Sequence, residues 1–303
     1  MVPPETAAPA SPTGLRLWLT AVRPRTLTLS VVPVVLGSAL AWAEGAPVAW
    51  LTLLAALLAA ALLQAGANLH NDVVDFEHGN DKPHRQGPTR VTAAGWATPA
   101  QVHFAAKTAF GLAFLSGLYL VAVGGWPFFL LGLASLAAGY AYSGGPRPVS
   151  YTPAGEVFVF LFFGLVAVAG SHYLQSGHLS AAGLLGGAAM GFLASAVLMV
   201  NNYRDLDGDS AVGRRTLAVA LGRERSRKAY ALMVTLPFVC VLGLWPLLPA
   251  HAPMLLALAT LPKCIGLARE FGSREGAALN PVLGETAQAQ LLFGALLCVG
   301  LAL

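Results

Sequence analysis

Long apolar stretches separated by short polar connections fill almost the whole chain. Nine spans are predicted from this pattern, at 26–43, 48–69, 101–123, 127–143, 153–174, 179–201, 229–248, 252–270 and 285–303. Each has roughly the 20 apolar residues that a helix needs to cross a bilayer. Their apolar positions do not alternate with polar ones, as they would in the strands of a membrane barrel. The pattern therefore predicts an all-α polytopic membrane protein with about nine transmembrane helices in one bundle.

The composition also indicates a membrane protein and leaves little room for a soluble domain. Hydrophobic residues make up 56% of the chain, charged residues 11%, and the mean hydropathy is +0.66. In an ordinary soluble domain about a quarter of the residues are charged. Residues 1–15 are rich in Pro, Ala and Thr and lack an apolar core, which predicts a disordered tail and not a cleaved signal. Residues 16–303 are predicted to form a single transmembrane domain.

Lys and Arg are concentrated in alternate connections. The connections that hold most of them lie around 71–98, 144–152, 202–228 and 271–284. The connections with none lie around 44–47, 124–126, 175–178 and 248–251. Cytoplasmic loops carry an excess of positive charge, so the first set and the N-terminus are predicted to be cytoplasmic, in the inner (plasma) membrane. The net charge of +4 is explained by this topology, and no basic stripe indicates a nucleic-acid partner.

Negative charge falls in two short clusters on the predicted cytoplasmic side. Together they hold seven of the fourteen Asp and Glu residues of the chain: Asp72, Asp75, Glu77, Asp81, Asp205, Asp207 and Asp209. Each cluster directly follows an apolar helix and begins with asparagines, as NLHNDVVD and as NNYRDLDGD. The chain thus resembles two related halves, and repeats of this kind commonly form a functional site where they meet.

Helical spacing places each cluster on one helix face. The two sets are Asn68, Asp72 and Asp75 at i, i+4 and i+7, and Asn201, Asp205 and Asp209 at i, i+4 and i+8. Stacked carboxylates repel one another and would each cost about 2.5 to 3.5 kcal/mol at the bilayer centre. Lys and Arg could balance part of this charge, and carboxylate and amide oxygens also suit Mg²⁺, which bridges to substrate phosphates. We therefore predict that divalent cations and a diphosphate bind between the clusters, the alternative being solvated acids at helix ends.

The clusters and their flanking motifs resemble the UbiA superfamily of intramembrane aromatic prenyltransferases. The stretches that carry the resemblance are RPRTLTLSVVPVVLG, the NDxxDFxxGxDKP form at 71–83, QGPTRVTAAG, YSGGPRPVSYTPAGEVFVFLFFG, NNYRDLDGDSAVGRRTLAVALG and LNPVLGETA. The GPxR element and the last two stretches are most similar to the branch that prenylates 1,4-dihydroxy-2-naphthoate. The resemblance implies a UbiA-like helical bundle that transfers a polyprenyl group from a polyprenyl diphosphate to this acceptor. CO₂ and diphosphate would be lost, giving demethylmenaquinol.

The resemblance also implies roles for individual residues. The implied ligands of Mg²⁺, or of Mn²⁺ in its place, are Asn71, Asp72, Asp75, Asn201, Asp205 and Asp209. The implied catalytic residues are Asp72, Asp75, Asp81, Asp205 and Asp209. The residues expected to bind diphosphate or acceptor are Asn68, Asn71, Lys82, Arg90, Tyr140, Tyr142, Arg147, Tyr151, Asn201, Asn202 and Arg214. Glu77 and Asp207 fall outside the strict motifs, and Arg147 or Arg23 is expected to meet the acceptor carboxylate.

Two alternatives stay open at this point. Within the same family the acceptor could be 4-hydroxybenzoate, homogentisate or haem. A secondary transporter could use the acidic clusters as ion-coupling sites, although transporters place such residues near the bilayer midplane in broken helices. The clusters here are predicted at the cytoplasmic helix ends with long loops behind them, which favours an enzyme with a capped reaction chamber.

Overall fold

The computed structural model describes residues 12–79 and 89–303, and over these residues it is helical without a strand. The helices, labelled in chain order, are α1 Leu15–Val22, α2 Pro24–Ala43, α3 Trp50–Glu77, α4 Pro99–Gly124, α5 Trp126–Ser143, α6 Gly155–Ser176, α7 Ala181–Arg204, α8 Leu206–Ala211, α9 Leu217–Leu244, α10 Ala250–Ser273 and α11 Gly276–Ala302. The first turns of α10 are of 3₁₀ character, and Phe160–Val166 within α6 forms a π-helical stretch. The predicted all-α architecture is confirmed.

Eight of these helices are long and apolar enough to cross a membrane. The predicted span at 127–143 is the one outside these eight, and it corresponds to α5, which has 18 residues. Near its beginning Phe128 packs against Tyr173 at the end of α6, with ring centroids 5.5 Å apart. At its other end Ser143 Oγ accepts a 2.7 Å hydrogen bond from Asn71 Nδ2 of α3. Helix α5 therefore runs between the same two ends of the bundle as its neighbours.

Three of the long helices, α4, α7 and α9, begin at polar residues whose side chains cap them. Thr98 forms a capping box with Gln101 ahead of α4, and Pro99 occupies the first turn. The side chains of Ser180 and Thr216 accept hydrogen bonds from first-turn backbone N–H groups of α7 and α9. Such caps stabilise a helix by about 1 kcal/mol each. The expected tail over 1–15 lies mostly outside the described residues, and the side of the membrane that holds the N-terminus stays a prediction.

Helix α7 lies at the centre of the bundle and is the most buried of the eight spans. It packs closely on α6, because glycines face each other at the contact. A Cβ atom added to Gly164 would lie 2.4 Å from the backbone oxygen of Gly187, and one added to Gly191 would lie 2.7 Å from that of Phe160. Small residues let helix backbones approach in this way. The close contact fixes α6 against α7, and both helices contribute to the cavity described next.

Candidate active site

A cavity of about 1160 Å³ opens between the helices. Its charged lining residues are Arg23, Asp75, Arg90, Asp205, Asp209 and Arg214, and they are gathered where α3 and α7 end. Asn71, Asn201, Asn202 and Asn280 line the same end. Much of the remaining wall is apolar, with side chains such as Leu63, Leu131, Val166 and Leu174. The cavity therefore suits a ligand with a charged head and a long apolar tail.

One guanidinium joins the two acidic clusters. Arg214 Nη2 lies 3.0 Å from Asp75 Oδ1, and Arg214 Nη1 lies 3.5 Å from Asp209 Oδ1. The same guanidinium lies over the ring of Tyr151, 4.1 Å from its centroid, and donates to its hydroxyl at 3.0 Å. Asp75 and Arg214 are 139 positions apart in the chain. The two clusters thus face each other across one side chain at one end of the bundle.

In the first cluster, Asp75 is buried between two guanidiniums. Besides Arg214, it contacts Arg90, whose Nη2 lies 2.5 Å from Asp75 Oδ2. Arg90 Nη1 also donates to the backbone oxygen of Asn71. Arg90 follows the cluster in the chain and folds back onto it, so the positive charge that balances Asp75 comes from two separate segments.

In the second cluster, Arg204 holds the polar residues in place. Its side chain is completely buried and contacts both carboxylate oxygens of Asp205, at 2.9 and 2.6 Å. It also donates to Asn201 Oδ1 at 2.9 Å and to Asn280 Oδ1 at 3.0 Å. Arg204 does not line the cavity, whereas its three partners do. It therefore orients residues that can meet a ligand.

The buried charges of the site perturb one another. Burial raises the pKa of Asp209 to about 6, with Asp205 and Asp75 adding to the effect and Arg214 opposing it. Burial alone would lower the pKa of Arg214, but the neighbouring Asp75, Tyr151 and Asp209 raise it overall. A further cation beside Asp209 would favour its ionised form. The cavity end is therefore suited to bind cations together with an anion that the arginines can share.

The oxygen donors of the site fit Mg²⁺ that a substrate helps to hold. Carboxylates of Asp75, Asp205 and Asp209 and the amides of Asn71 and Asn201 border the same end of the cavity. In residues 12–79 and 89–303, no group of three or more His, Cys, Asp or Glu side chains is close enough to hold a metal alone. Mg²⁺ commonly takes one or two carboxylates, several waters and the oxygens of substrate phosphates. The donor set matches that mode of binding and not a closed protein cage.

Asp72 does not belong to this set, which corrects the prediction that it is a catalytic residue and metal ligand. It is 1% exposed and does not line the cavity. Its two carboxylate oxygens accept hydrogen bonds from the backbone N–H groups of Val91 and Thr92, at 3.1 and 3.0 Å. Both oxygens are therefore committed to the segment that precedes α4. The side chain anchors this segment to α3.

The predicted aromatic and basic residues divide between the cavity and the surface. Tyr142 lines the cavity, but Tyr140 is exposed and stacks on His70, with centroids 4.6 Å apart. Arg147 is exposed and away from the cavity, so of the two basic residues considered for the acceptor carboxylate only Arg23 lines it. The predictions that Tyr140 and Arg147 bind substrate are therefore corrected. Tyr140 and Tyr142 point apart because residues two positions apart in a helix are about 200° apart around its axis.

The remaining predicted residues have more than one role or lie elsewhere. Asn68 lines the cavity, yet its amide also donates to Val22 O at 2.7 Å and to Thr26 Oγ1 at 2.9 Å. Tyr151 contacts the site through Arg214 and does not itself line the cavity. The two acids outside the strict motifs form surface pairs, Glu77 with His103 at 3.0 Å and Asp207 with Arg223 at 2.7 Å. Asp81 and Lys82 lie outside the described residues.

Two site residues were missed by the sequence analysis. Asn280 lines the cavity and accepts from Arg204, and it is the Asn of the LNPVLGETA stretch. Arg204 is the Arg directly before Asp205 in NNYRDLDGD. Both lie within motifs that the resemblance singled out, so the motifs held the signal. Spacing within one helix could not reveal a contact between α7 and the beginning of α11.

Comparisons with known proteins agree with this arrangement. The model of the UbiA prenyltransferase family matches residues 30–283. The chain is 37% identical over 292 residues to 1,4-dihydroxy-2-naphthoate octaprenyltransferase of Escherichia coli (strain K12), covering 94% of each protein. It is 37% identical over 277 residues to the Mycobacterium tuberculosis protein of the same name, covering 91% of this chain and 93% of the relative. These findings confirm the resemblance drawn from the motifs.

Solved structures share the fold at low sequence identity. A UbiA homologue from Archaeoglobus fulgidus bound to GPP and Mg²⁺ superposes with a TM-score of 0.68 at 17% identity, covering 95% of this chain and all of the homologue. At that identity the likeness concerns the fold alone. The family model covers well over half of the chain, and the curated relatives match it along nearly its full length. The chain belongs to the UbiA prenyltransferase family.

Proposed function

We propose that this protein transfers a polyprenyl group from a polyprenyl diphosphate to 1,4-dihydroxy-2-naphthoate, in a reaction that requires Mg²⁺. Diphosphate and CO₂ are released, and the product is demethylmenaquinol. The observation that carries the proposal is the contact of both acidic clusters with Arg214 at the charged end of a long apolar cavity. The names of two curated relatives, each 37% identical to this chain, support the choice of acceptor.

The charged end of the cavity would bind the diphosphate. Asp75, Asp205 and Asp209, with the neighbouring asparagine amides, would hold Mg²⁺, which when bound neutralises charge on the departing diphosphate. Arg214 and Arg90 offer guanidinium groups that pair well with phosphate oxygens. Both already contact Asp75, so an incoming diphosphate would share them with that carboxylate. No nucleophilic side chain is required for this step.

Aromatic side chains of the cavity would stabilise the positive charge that develops on the prenyl group. When the bond between the prenyl C1 and the diphosphate oxygen breaks, positive charge develops on the allylic carbons. Tyr142, Phe158 and Phe162 line the cavity and offer aromatic faces to such charge, worth about 1 to 2 kcal/mol each. The apolar wall beyond them would bind the prenyl tail and keep water away from the cation.

The acceptor would react at the ring carbon that bears its carboxylate. This carbon forms a bond to the prenyl C1 as diphosphate leaves with the electron pair of the C–O bond. The bond between the ring and the carboxylate then breaks, CO₂ departs, and its electron pair restores the aromatic ring. Atoms and charges balance without a separate base. Arg23, at the cavity, is the basic residue placed to meet the carboxylate before it is lost.

Orientation and location follow from the same proposal. The positive charge of alternate loops supports a cytoplasmic N-terminus and a site open to the cytoplasm, in the inner (plasma) membrane. Residues 16–303 would act as one transmembrane unit. Cysteine-accessibility labelling of Ser210→Cys and Ser180→Cys from each side of the membrane would test the orientation, because the two positions lie at opposite ends of the bundle.

The function can be tested with protein purified in lipid nanodiscs. We expect prenylated product and release of labelled CO₂ from carboxyl-labelled dihydroxynaphthoate, only when a polyprenyl diphosphate and Mg²⁺ or Mn²⁺ are present. Chelation by EDTA should abolish turnover, and added Mg²⁺ should restore it. The same assay with 4-hydroxybenzoate, homogentisate and haem tests the acceptor. Faster turnover of any of these than of dihydroxynaphthoate would overturn the proposed acceptor.

A further inference from the structure

A carboxyl group that the proposed reaction does not use is buried beside the cavity. Glu156 lies in the first turn of α6 and is 2% exposed. Its Oε1 accepts a hydrogen bond from Asn202 Nδ2 at 2.9 Å, and its Oε2 is buried without a hydrogen-bond partner among the described residues. A buried carboxyl group costs free energy unless its interactions compensate. The hydrogen bond of its side chain to Asn202, which lines the cavity, therefore indicates what it does.

The contact fixes the orientation of the Asn202 amide. An asparagine offers a donating NH₂ group and an accepting oxygen, whereas a carboxylate only accepts. In the structure Asn202 turns its NH₂ group toward Glu156 Oε1, and its Oδ1 points elsewhere. Oδ1 has no hydrogen-bond partner among the described residues and is not one of the buried polar atoms, while Asn202 lines the cavity. The pair thus leaves Asn202 Oδ1 as a hydrogen-bond acceptor on a residue that lines the cavity.

The surroundings of this acceptor fit a planar aromatic ring. Tyr142, Phe158 and Phe162 line the cavity as a row of rings, with centroids 6.1 Å apart for the first pair and 4.7 Å apart for the second. Phe158 follows Glu156 by two residues in α6. On the other side, Asn202 is adjacent to Asn201, which lies at the end where the diphosphate would bind. A ring stacked on the aromatic row would therefore lie between the apolar wall and the reacting carbon.

We propose that Glu156 is a positioning residue, which holds the Asn202 amide so that Oδ1 accepts a hydrogen bond from a ring hydroxyl of the aromatic acceptor. This inference rests on the proposed function and names the group of the acceptor that the site recognises, a ring hydroxyl. A hydroxyl that donates to an amide oxygen gives more electron density to its ring. The ring carbon beside it then attacks the allylic carbon more readily. The pair also favours hydroxylated rings over those in which the hydroxyl is replaced by an ether.

The test compares variants of Glu156 in initial-rate assays in nanodiscs. Glu156→Met keeps the approximate size but cannot accept from Asn202, so the amide is free to turn. We expect the acceptor KM to rise about tenfold, as for a lost hydrogen bond, with the KM of the prenyl diphosphate unchanged. Glu156→Gln can still accept through its amide oxygen and should restore an acceptor KM close to that of the wild type. Asn202→Ala should raise the acceptor KM to the same extent, and combining it with Glu156→Met should add nothing further.

A matched control separates positioning from a merely structural role. Ser195 Oγ donates to the backbone oxygen of Glu156 at 2.8 Å, so Ser195→Ala weakens the packing of α6 on α7 without freeing the Asn202 amide. We expect no selective change in the acceptor KM for this variant. With an acceptor in which the ring hydroxyls are methylated, Glu156→Met and the wild type should not differ. A penalty that is equal for both substrates, or that persists with the methylated acceptor, would overturn the inference.

Failure of this inference can be distinguished from failure of the proposed function. If the wild type prenylates a different hydroxylated ring, such as 4-hydroxybenzoate, the proposed acceptor is wrong, but the Glu156→Met penalty should follow that ring. If the wild type prenylates none of the rings, binding of hydroxylated and methylated naphthoates to the protein is measured by fluorescence. A preference for the hydroxylated ring that disappears in Glu156→Met upholds the inference, and equal binding overturns it.

Discussion

The two acidic clusters contain the same residue types, yet their charges are balanced in different ways. Asp75 in the first cluster is paired with Arg90, 15 positions further along the chain, and with Arg214, 139 positions further. Asp205 in the second is paired with Arg204, its direct neighbour in the chain. Arg214 also reaches Asp209 and lines the cavity, whereas the Arg204 side chain is completely buried. The difference separates an arginine that a ligand can share from one that holds the site together.

The largest effect on stability is expected where the second cluster loses its buried arginine. Arg204→Leu leaves the oxygens of Asp205, Asn201 and Asn280 without their common donor. We expect a loss of about 3 to 5 kcal/mol in the free energy of unfolding, near the lower end because Asp205 keeps access to the cavity. Thermal unfolding in nanodiscs measures it. Arg223→Leu, at a surface pair, is the matched control, and a similar loss in both variants would show that Arg204 has no special role.

The first cluster should respond mainly in its activity, with some loss of stability because Arg90 is buried beside Asp75. Asp75→Asn keeps the shape of the side chain but removes the charge that Arg90 and Arg214 share. We expect turnover to fall by about 10²–10³-fold, as when one charge-stabilising group is removed from an active site. Product formation at saturating Mg²⁺ measures the effect, and the thermal transition confirms folding. Activity within tenfold of the wild type would mean that Asp75 is not a metal ligand.

The comparison also explains how far the sequence alone could lead. The apolar spans and the two clusters were predictable because the bilayer demands long apolar helices and leaves charged groups conspicuous. The hydrogen-bond and ion-pair partners of the clusters were not predictable, because Arg214 and Asp75 are 139 positions apart in the chain and Arg204 and Asn280 are 76 apart. Helical spacing puts Asp72 and Asp75 on one face, but that face is broad enough to meet both the cavity and the segment at 91–92.

Asp72→Asn tests whether Asp72 and Asp75 have different roles in the first cluster, and its effect on stability should be intermediate. An asparagine retains one accepting oxygen, so it satisfies one of the two backbone N–H groups that Asp72 now binds. We expect a loss of about 1 to 3 kcal/mol in stability, the cost of leaving one buried donor unpaired. The Mg²⁺ concentration for half-maximal activity should not change, because neither oxygen faces the cavity. A marked rise in that concentration, compared with Asp75→Asn as the positive control, would return Asp72 to the metal site.

The smallest effects are expected at the two acids that extend the clusters to the surface. Asp207 is exposed and pairs with Arg223, and Glu77 pairs with His103 across two partly exposed side chains. Surface pairs of this kind contribute about 0 to 1 kcal/mol. Asp207→Asn and Glu77→Gln should therefore leave both turnover and the Mg²⁺ dependence close to those of the wild type, and the thermal transition should shift little. If either variant raised the Mg²⁺ requirement several-fold, an acid outside the cavity would be acting on the bound cation. The distinction between cavity-facing acids and surface acids would then be wrong. If both variants behave like the wild type, position relative to the cavity decides which carboxylates take part in the reaction. Membership of an acidic cluster does not.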